Sequence, residues 1–140
     1  MASTITAADA SITITESISL GGVDRGGTHT RTISSVSEMD RRVMEVSSSA
    51  ETSLIDLDTS NGKGQFVRSN IRYIRITNLD DSNWIRVRFM KVGAETADVK
   101  VLANSTFMLS DGSMDVDGSA GSFSAFVDID DIKAQANGAA

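Results

Sequence analysis

NIRYIRITNLDDSNWIRVRFMKV, residues 70–92, is the stretch that decides how this chain reads. Two runs rich in β-branched and aromatic residues flank the polar segment Asn78-Leu79-Asp80-Asp81-Ser82-Asn83. Such a polar turn between two strand-like runs is the pattern of a β-hairpin. Successive side chains of a strand point to opposite faces. Ile74 and Ile76 on the first arm therefore share a face with Ile85, Val87 and Phe89 on the second, and that face reads as core. Tyr73, Arg75, Thr77, Trp84, Arg86, Arg88 and Met90 fall on the other. A loop closed at Asp80-Asp81 or at Asp81-Ser82 preserves the sorting, whereas a slip of one residue mixes the faces. Arg and aromatic residues dominate protein–protein contacts, so the second face reads as suited to assembly.

The rest of the composition agrees with a β protein. The chain has 140 residues, 40% apolar and 23% charged, with a formal net charge of −6. That is a globular composition and a length that supports one domain with a real core. The expected organisation is one β-sandwich domain over residues 1–140, with N- and C-terminal arms. Proline is absent, so turns rest on Gly, Asn, Asp and Ser. Ser and Thr make up roughly a fifth of the chain, with Thr suited to strands and Ser to turns. Cysteine is absent, which excludes disulfides, thiolate nucleophiles and thiolate metal sites. The acidic balance argues against general nucleic-acid binding, because phosphate contacts need clustered cations. No apolar run reaches the roughly 18 residues of a spanning helix. The first residues, Met-Ala-Ser-Thr-Ile-Thr, lack the basic-then-apolar order of a secretory signal.

Outward from the central stretch, alternation marks further strands. Ser11 to Leu20 puts Ile12, Ile14, Ile18 and Leu20 on one face and Ser11, Thr13, Thr15, Ser17 and Ser19 on the other, the pattern of a half-buried strand. Gly21 to Gly27 carries four glycines in seven residues and reads as a flexible loop. Thr28 to Val36 resumes a β-like run. Ser37 to Ser47 fits a strand centred on Val43-Met44-Glu45-Val46, and nearly as well a helix capped by Ser37. Thr52 to Asp58 is a strand, and Asn61-Gly62 in the following turn is a strong hairpin dipeptide. Asp98 to Ala103 is a strand with Val99 and Val101 inward. Thr106 to Leu109 is another, and Ser122 to Ile132 is the last. Nine or ten short strands at this spacing predict an antiparallel β-sandwich of jelly-roll type.

Chemistry-bearing patterns are sparse. His29 is the single histidine, and no G-x-S-x-G elbow accompanies it. Ser113, Asp115, Asp117 and Gly118 resemble half of a Ca²⁺ loop, but its twelfth position falls on Ser124 rather than Glu. Asn104-Ser105-Thr106 matches a glycosylation sequon, which matters only in a secreted eukaryotic protein. The Gly21–Gly27 loop lacks the Lys-Ser/Thr of a phosphate loop. No catalytic, metal or cofactor residues are assigned. The positive feature is the Arg set Arg68, Arg72, Arg75, Arg86 and Arg88. It reads either as a solvated face laced with ion pairs or as a subunit interface, where Arg pairs bidentately with a neighbour's carboxylates. Tyr73, Arg75, Trp84, Arg86 and Arg88 are the candidate interface residues.

The order IRYIRITNLD, then WIRVRF, then LANSTFML, across Ser69 to Leu109, resembles a strand pattern of small virion proteins of tailed bacteriophages. In that family Gly often precedes the closing strand, where this chain has Ser105 or Thr106. The resemblance transfers no functional residue. It implies a non-enzymatic structural role: a decoration or cement protein stabilising a phage capsid through contacts between strand faces. The implied partners are the major capsid protein or other virion proteins and copies of itself, as a homo-oligomer. The implied location is the virion, assembled in the host cytoplasm, with no cofactor, no membrane and no nucleic-acid partner. A tail or fibre-attachment component is the nearest alternative. A carbohydrate-binding β-sandwich using Trp84 and Tyr73 as a stacking platform is the alternative of another class. A hydrolase built on His29 is least favoured.

Overall fold

The structure is a computed structural model that describes residues 5–60, 62, 64–91, 96–110, 114, 126 and 129–138. Its regular elements are strands, apart from one 3-10 turn at Arg68–Asn70. The fold is all-β and sandwich-like, with mostly antiparallel pairing. Contacts divide the chain into two units, Met1–Val43 and Met44–Ala140.

The first unit is a two-stranded ribbon. Strand β1 (Ala8–Glu16) pairs antiparallel with β4 (Gly27–Val36), and the short β2 (Ser19–Leu20) pairs with β3 (Val23–Asp24) at the tip. The register is continuous: Leu20 opposes Val23, Glu16 opposes Gly27, Ile14 opposes His29 and Ile12 opposes Arg31. The expected flexible loop over Gly21–Gly27 is therefore not there. Gly21 and Gly22 alone make the turn, at φ 61° and 78°. Both central residues of that hairpin turn need positive φ, which glycine adopts without strain. Gly26 serves a different need, since a Cβ there would collide with the carbonyl oxygen of Glu16. The alternation read from Ser11 to Leu20 holds, but the expected half-burial holds at Ile12 and is lost toward the tip. Ile14, Ile18, Leu20 and Val23 are 40%, 48%, 71% and 50% exposed. Alternation reports which side chains share a face. It does not report whether anything covers that face.

Ser37–Ser47 forms neither the expected strand nor a helix. Met39 and Val43, the residues that gave it helical spacing, are 82% and 84% exposed. A helix of ten residues is marginal without an apolar face to bury, and of this segment's apolar residues only Val46, at its end, packs against the core.

The second unit holds the core. Strands β5 (Thr52–Asp58), β6 (Phe66–Val67), β8 (Ile85–Met90), β9 (Thr96–Val101) and β11 (Asp131–Ala136) form one sheet in the order β6-β5-β11-β8-β9. Strands β7 (Ile74–Thr77) and β10 (Thr106–Leu109) form a second. The central hairpin expected over residues 70–92 is thus corrected. Its arms became β7 and β8, and these belong to different sheets. The faces were read correctly. Ile74, Ile85, Val87 and Phe89 are all buried in one cluster, with Ile76 packed against it. They meet across the sandwich instead of side by side: Phe89 on β8 lies 5.7 Å, centroid to centroid, from Phe107 on β10.

The Asn78–Asn83 segment is an arch because its hydrogen bonds go to the far side of the fold. The Asn78 amide nitrogen donates to the carbonyls of Asn83 at 2.8 Å, Leu102 at 3.1 Å and Val101 at 3.3 Å. Its backbone N–H donates to Ser105 O at 2.9 Å, and Asn104 N–H donates to Asp80 O at 3.0 Å. Asn104 itself sits at φ 53°, a left-handed conformation that Asn tolerates. A polar turn between alternating runs carries the same residues whether it closes a hairpin or spans two sheets.

Two further expectations need correction. After β5 the chain returns in parallel as β6, with Leu57 opposite Phe66. Asn61 of the expected Asn61-Gly62 turn lies outside the described residues, and β5 and β6, being parallel neighbours, are not the two arms of a tight hairpin. Most of the last strand expected at Ser122–Ile132 lies outside the described residues, and its end overlaps β11, Asp131–Ala136, which lies between β5 and β8 at the centre of its sheet. Phe126 and Ile129, just before it, are wholly buried.

Candidate functional site

The five candidate interface residues do not form one surface. Ile74 and Ile76 turn inward from β7, so Arg75 between them turns outward from the smaller sheet, and it is exposed. Tyr73 precedes β7 and is half-buried. Val87 and Phe89 turn inward from β8, so Arg86 and Arg88 turn outward from the larger sheet. The two core faces oppose each other, which places Arg75 and the Arg86–Arg88 pair on opposite sides of the sandwich.

The outer face of the larger sheet is a ladder of ion pairs. Register brings Asp98, Arg88 and Lys133 into one row and Lys100, Arg86 and Gln135 into the next. Arg88 grips Asp98 with both arms of its guanidinium, Nε to Oδ1 and Nη2 to Oδ2, each at 2.7 Å. The Arg88 hydrogen bond holds the Asp98 carboxyl below its usual range, and the same contact raises Arg88 further. Glu51 joins the rows, its Oε1 accepting from Arg86 at 2.8 Å and from Arg88 at 2.9 Å. Arg86 also donates to Gln135 Oε1 at 2.8 Å, and Gln135 donates to Ser48 O at 3.0 Å. These side chains remain a quarter to a third exposed, where each pair contributes about 0.2–1 kcal/mol. The Arg88 donors and Arg86 Nη2 are directed at partners within the chain, while Arg86 Nε is buried without one. Of the two readings given to the Arg set, the geometry of Arg86 and Arg88 is that of the ion-paired face.

Trp84 lies at the edge of this face. Its backbone N–H donates to Asn137 Oδ1 at 2.8 Å. The Lys100 ammonium sits 4.6 Å from its ring centroid, a cation–π contact worth about 0.5–1 kcal/mol at an exposed site. That contact occupies one ring face that a sugar would need for stacking.

Arg68 and Arg72 also turn to the chain itself. Arg68 pairs with Asp130 at 2.6 Å and ties the 3-10 turn to the segment entering β11. Arg72 donates to the carbonyls of Ser69 and Ile71. His29 stands on the ribbon opposite Ile14 and is exposed. Among the described residues no three His, Cys, Asp or Glu side chains converge as metal ligands. The Ser113, Asp115, Asp117 and Gly118 loop lies outside the described residues. No helix among the described residues is long and apolar enough to cross a membrane.

Two features escaped the sequence. One is the arch, where Asp80 Oδ1 accepts the N–H groups of Asn83 at 2.7 Å and Ser82 at 2.8 Å, and Oδ2 accepts from the Asn83 amide at 3.2 Å. These bonds, the Asn83 N–H foremost, hold the Asp80 carboxyl below the usual carboxylate range. A folded-state value below the unfolded one stabilises the fold at pH above the ordinary value of about 3.8. That stabilisation is lost as pH falls through the lowered value. Thermal unfolding followed between neutral pH and pH about 2 should therefore show a shallower acid limb for Asp80→Asn than for the parent chain. Identical acid limbs would remove Asp80 from the account.

The other is the ribbon, whose two faces differ completely. Ser11, Thr13, Thr15, Thr28, Thr30 and Thr32 form an exposed hydroxyl face, with Thr13 and Thr30 hydroxyls 3.1 Å apart. The opposite face carries the aliphatic column of β1. A two-stranded ribbon is marginal by itself in water, and large aliphatic side chains left exposed together mark contact sites. Comparison of the chain with protein-family models, with curated proteins and with solved structures finds no match in any of the three.

Proposed function

We propose that this chain is a non-enzymatic virion structural protein that decorates a phage capsid in many copies and strengthens the seams between shell subunits. The observation that carries an assembly role is the ribbon: a two-stranded scaffold too thin to be stable alone, which leaves Ile14, Ile18, Leu20 and Val23 exposed toward its tip. The particle context rests on the resemblance of the Ser69–Leu109 strand pattern to small virion proteins of tailed phages. An acidic chain with a charged, ion-paired sheet face suits a coat turned toward solvent. The carbohydrate-binding alternative is weakened by Lys100 standing over the Trp84 ring.

The test is co-expression with the shell protein of the same genome, followed by purification of particles. The chain should sediment with tailless heads at a fixed copy number per shell. Recovery only with tails would favour the tail or fibre reading, and recovery only as free protein would overturn the proposal. Arg75→Glu is the informative strand-face variant, because Arg75 is exposed and makes no ion pair among the described residues. It should cut particle occupancy severalfold while stability stays within about 0.5 kcal/mol. Unchanged occupancy would remove the β7 face from the contact. Reversing Arg86 and Arg88 would be a poor probe, since it sets new carboxylates against Glu51 and Asp98.

A further inference from the structure

Strand β9 ends the larger sheet, and no described strand stands along its outer side. The ladder shows which of its main-chain groups turn outward. The Asn137 N–H donates to Trp84 O at 3.1 Å, in register with the β11–β8 pairs. Hydrogen-bonded and non-bonded positions alternate along an antiparallel pair, so Arg86 and Arg88 turn their main-chain groups to β11. Ile85, Val87 and Phe89 turn theirs to β9, where they meet Val101, Val99 and Ala97. The N–H and C=O groups of Thr96, Asp98 and Lys100 therefore face the open edge. Proteins commonly blunt such an edge with proline, a bulge, an inward charge or a very short strand. Strand β9 has six residues, an unbroken register against β8, and Ala97, Val99 and Val101 on its inward side. Its charges, Asp98 and Lys100, stand on the outer face of the sheet, where they do not obstruct an incoming strand.

Those charges also choose the strand. Lys100 shares its row with Arg86 and Gln135. Its ammonium meets the Trp84 ring and makes no ion pair among the described residues. Asp98 has Arg88 on its β8 side and the open edge on the other. A strand that fits must bring a carboxylate beside Lys100 and a cation beside Asp98, two residues apart, with apolar residues between them on the core side. Strand β9 itself meets that description.

We propose that this edge pairs with the β9 edge of a second copy of the chain, antiparallel, about a two-fold axis through Val99. Asp98 then stands opposite Lys100 of the second copy, and Lys100 opposite its Asp98. Each of these pairs exchanges both main-chain hydrogen bonds. Val99 meets Val99 on the core side, and the two larger sheets become one. The neighbouring registers fail. An axis through Asp98 sets carboxylate against carboxylate, and an axis through Lys100 sets ammonium against ammonium. Like charges directly opposite are destabilising. A slip of one residue turns the second sheet's core face outward. Six residues span about 20 Å, which is short of a standard interface. The pairing is therefore weak in solution and becomes firm where copies are already held side by side. It does not rest on the identity of any particle the chain coats.

Sedimentation velocity of the full chain, from micromolar to millimolar concentration, tests it. The parent chain should associate as concentration rises. Lys100→Glu should weaken association by about tenfold or more, because the axis repeats each like-charge pair. Arg41→Glu, the same reversal on an exposed residue outside the larger sheet, should leave it within about twofold. Lys100→Pro removes an N–H that faces the open edge, so the sheet should still form while association is lost. A monomer at every concentration, equal effects of the two reversals, or a folded Lys100→Pro chain that associates like the parent would overturn the proposal. If Lys100→Pro does not fold, the two reversals decide by themselves. Register is read in this cysteine-free chain with Val99→Cys. Non-hydrogen-bonded partners stand about 4.5 Å apart at Cα, within reach of a disulfide. Val99→Cys should give disulfide-linked dimers under mild oxidation, and Ala97→Cys should not. Association without the Val99→Cys disulfide would move the axis and defeat the charge argument.

Discussion

Asn78→Asp should destabilise the chain by about 3–5 kcal/mol, although it exchanges one amide for a carboxylate of the same shape. Asn78 is 5% exposed and the only buried polar residue among those described. Its amide nitrogen has three carbonyl oxygens around it, those of Asn83, Val101 and Leu102. Aspartate would place an acceptor where these carbonyls require a donor. Either a charge is buried against three partial negative charges, or a proton is taken up to avoid it. Asn78→Ala removes the donor without adding a charge, so it should cost less, about 1–3 kcal/mol for the carbonyls left without a partner. Asp81→Ala, exposed in the same arch, should stay within about 0.5 kcal/mol. The order Asp81→Ala, then Asn78→Ala, then Asn78→Asp is the expected ranking of loss in urea unfolding. If Asn78→Asp proved no worse than Asn78→Ala, the amide could not be the donor that ties the two sheets.

Phe89→Ala carries the other large effect. Phe89 has no exposed surface and stands on β8 between Ile132 of β11 and Ala97 of β9. Its ring meets Phe107 of the smaller sheet at a tilt of 59°, a favoured aromatic arrangement. Truncation removes the apolar burial and leaves a cavity in the one layer where the two sheets touch. The expected loss is about 3–5 kcal/mol, which lowers the melting midpoint of a domain this size by more than about 10 °C. Phe107→Ala alone should cost less, because Phe107 is only partly buried. In the double variant the two losses should fall short of additivity by about 0.5–1.5 kcal/mol, the aromatic contact itself. Trp84 is the single tryptophan, so its fluorescence reports the unfolding. Strict additivity would mean that the rings do not touch, and the two-sheet arrangement around β8 would need revision.

The sequence disclosed faces and withheld partners. The alternation in IRYIRIT and WIRVRF fixed Ile74, Ile76, Ile85, Val87 and Phe89 as core, because period-two sorting is a local property of a strand. Strand β5 and strand β10 were likewise legible, at Thr52–Asp58 and Thr106–Leu109. Pairing is not local. The residues of Asn78–Asn83 suit a hairpin loop and an arch equally, and what decides between them is the position of the Val101 and Leu102 carbonyls more than twenty residues downstream. Strand β11 was hidden for a different reason. Ile-Lys-Ala-Gln-Ala has weak β-propensity, and Ala134, 1% exposed, is inside because it is small enough to lie between its neighbours. The candidate interface was divided by the same error that joined β7 to β8. The exposure of Ile14, Ile18 and Leu20 on the ribbon could not be foreseen at all, since an alternating aliphatic run is written identically whether or not anything covers it.

The position of β11 has a consequence for synthesis. It is the last strand of its sheet to be made and it separates β5 from β8, which do not touch without it. While the ribosome is translating residues 91–130, the apolar faces of β5 and β8 have been produced and have nothing between them. The larger sheet can close only after Ala136 has left the exit tunnel, so its folding is timed by the end of that segment and not by its beginning. Until then the nascent chain displays two vacant edges, and crowding of many such chains would make that interval the point at which yield is lost.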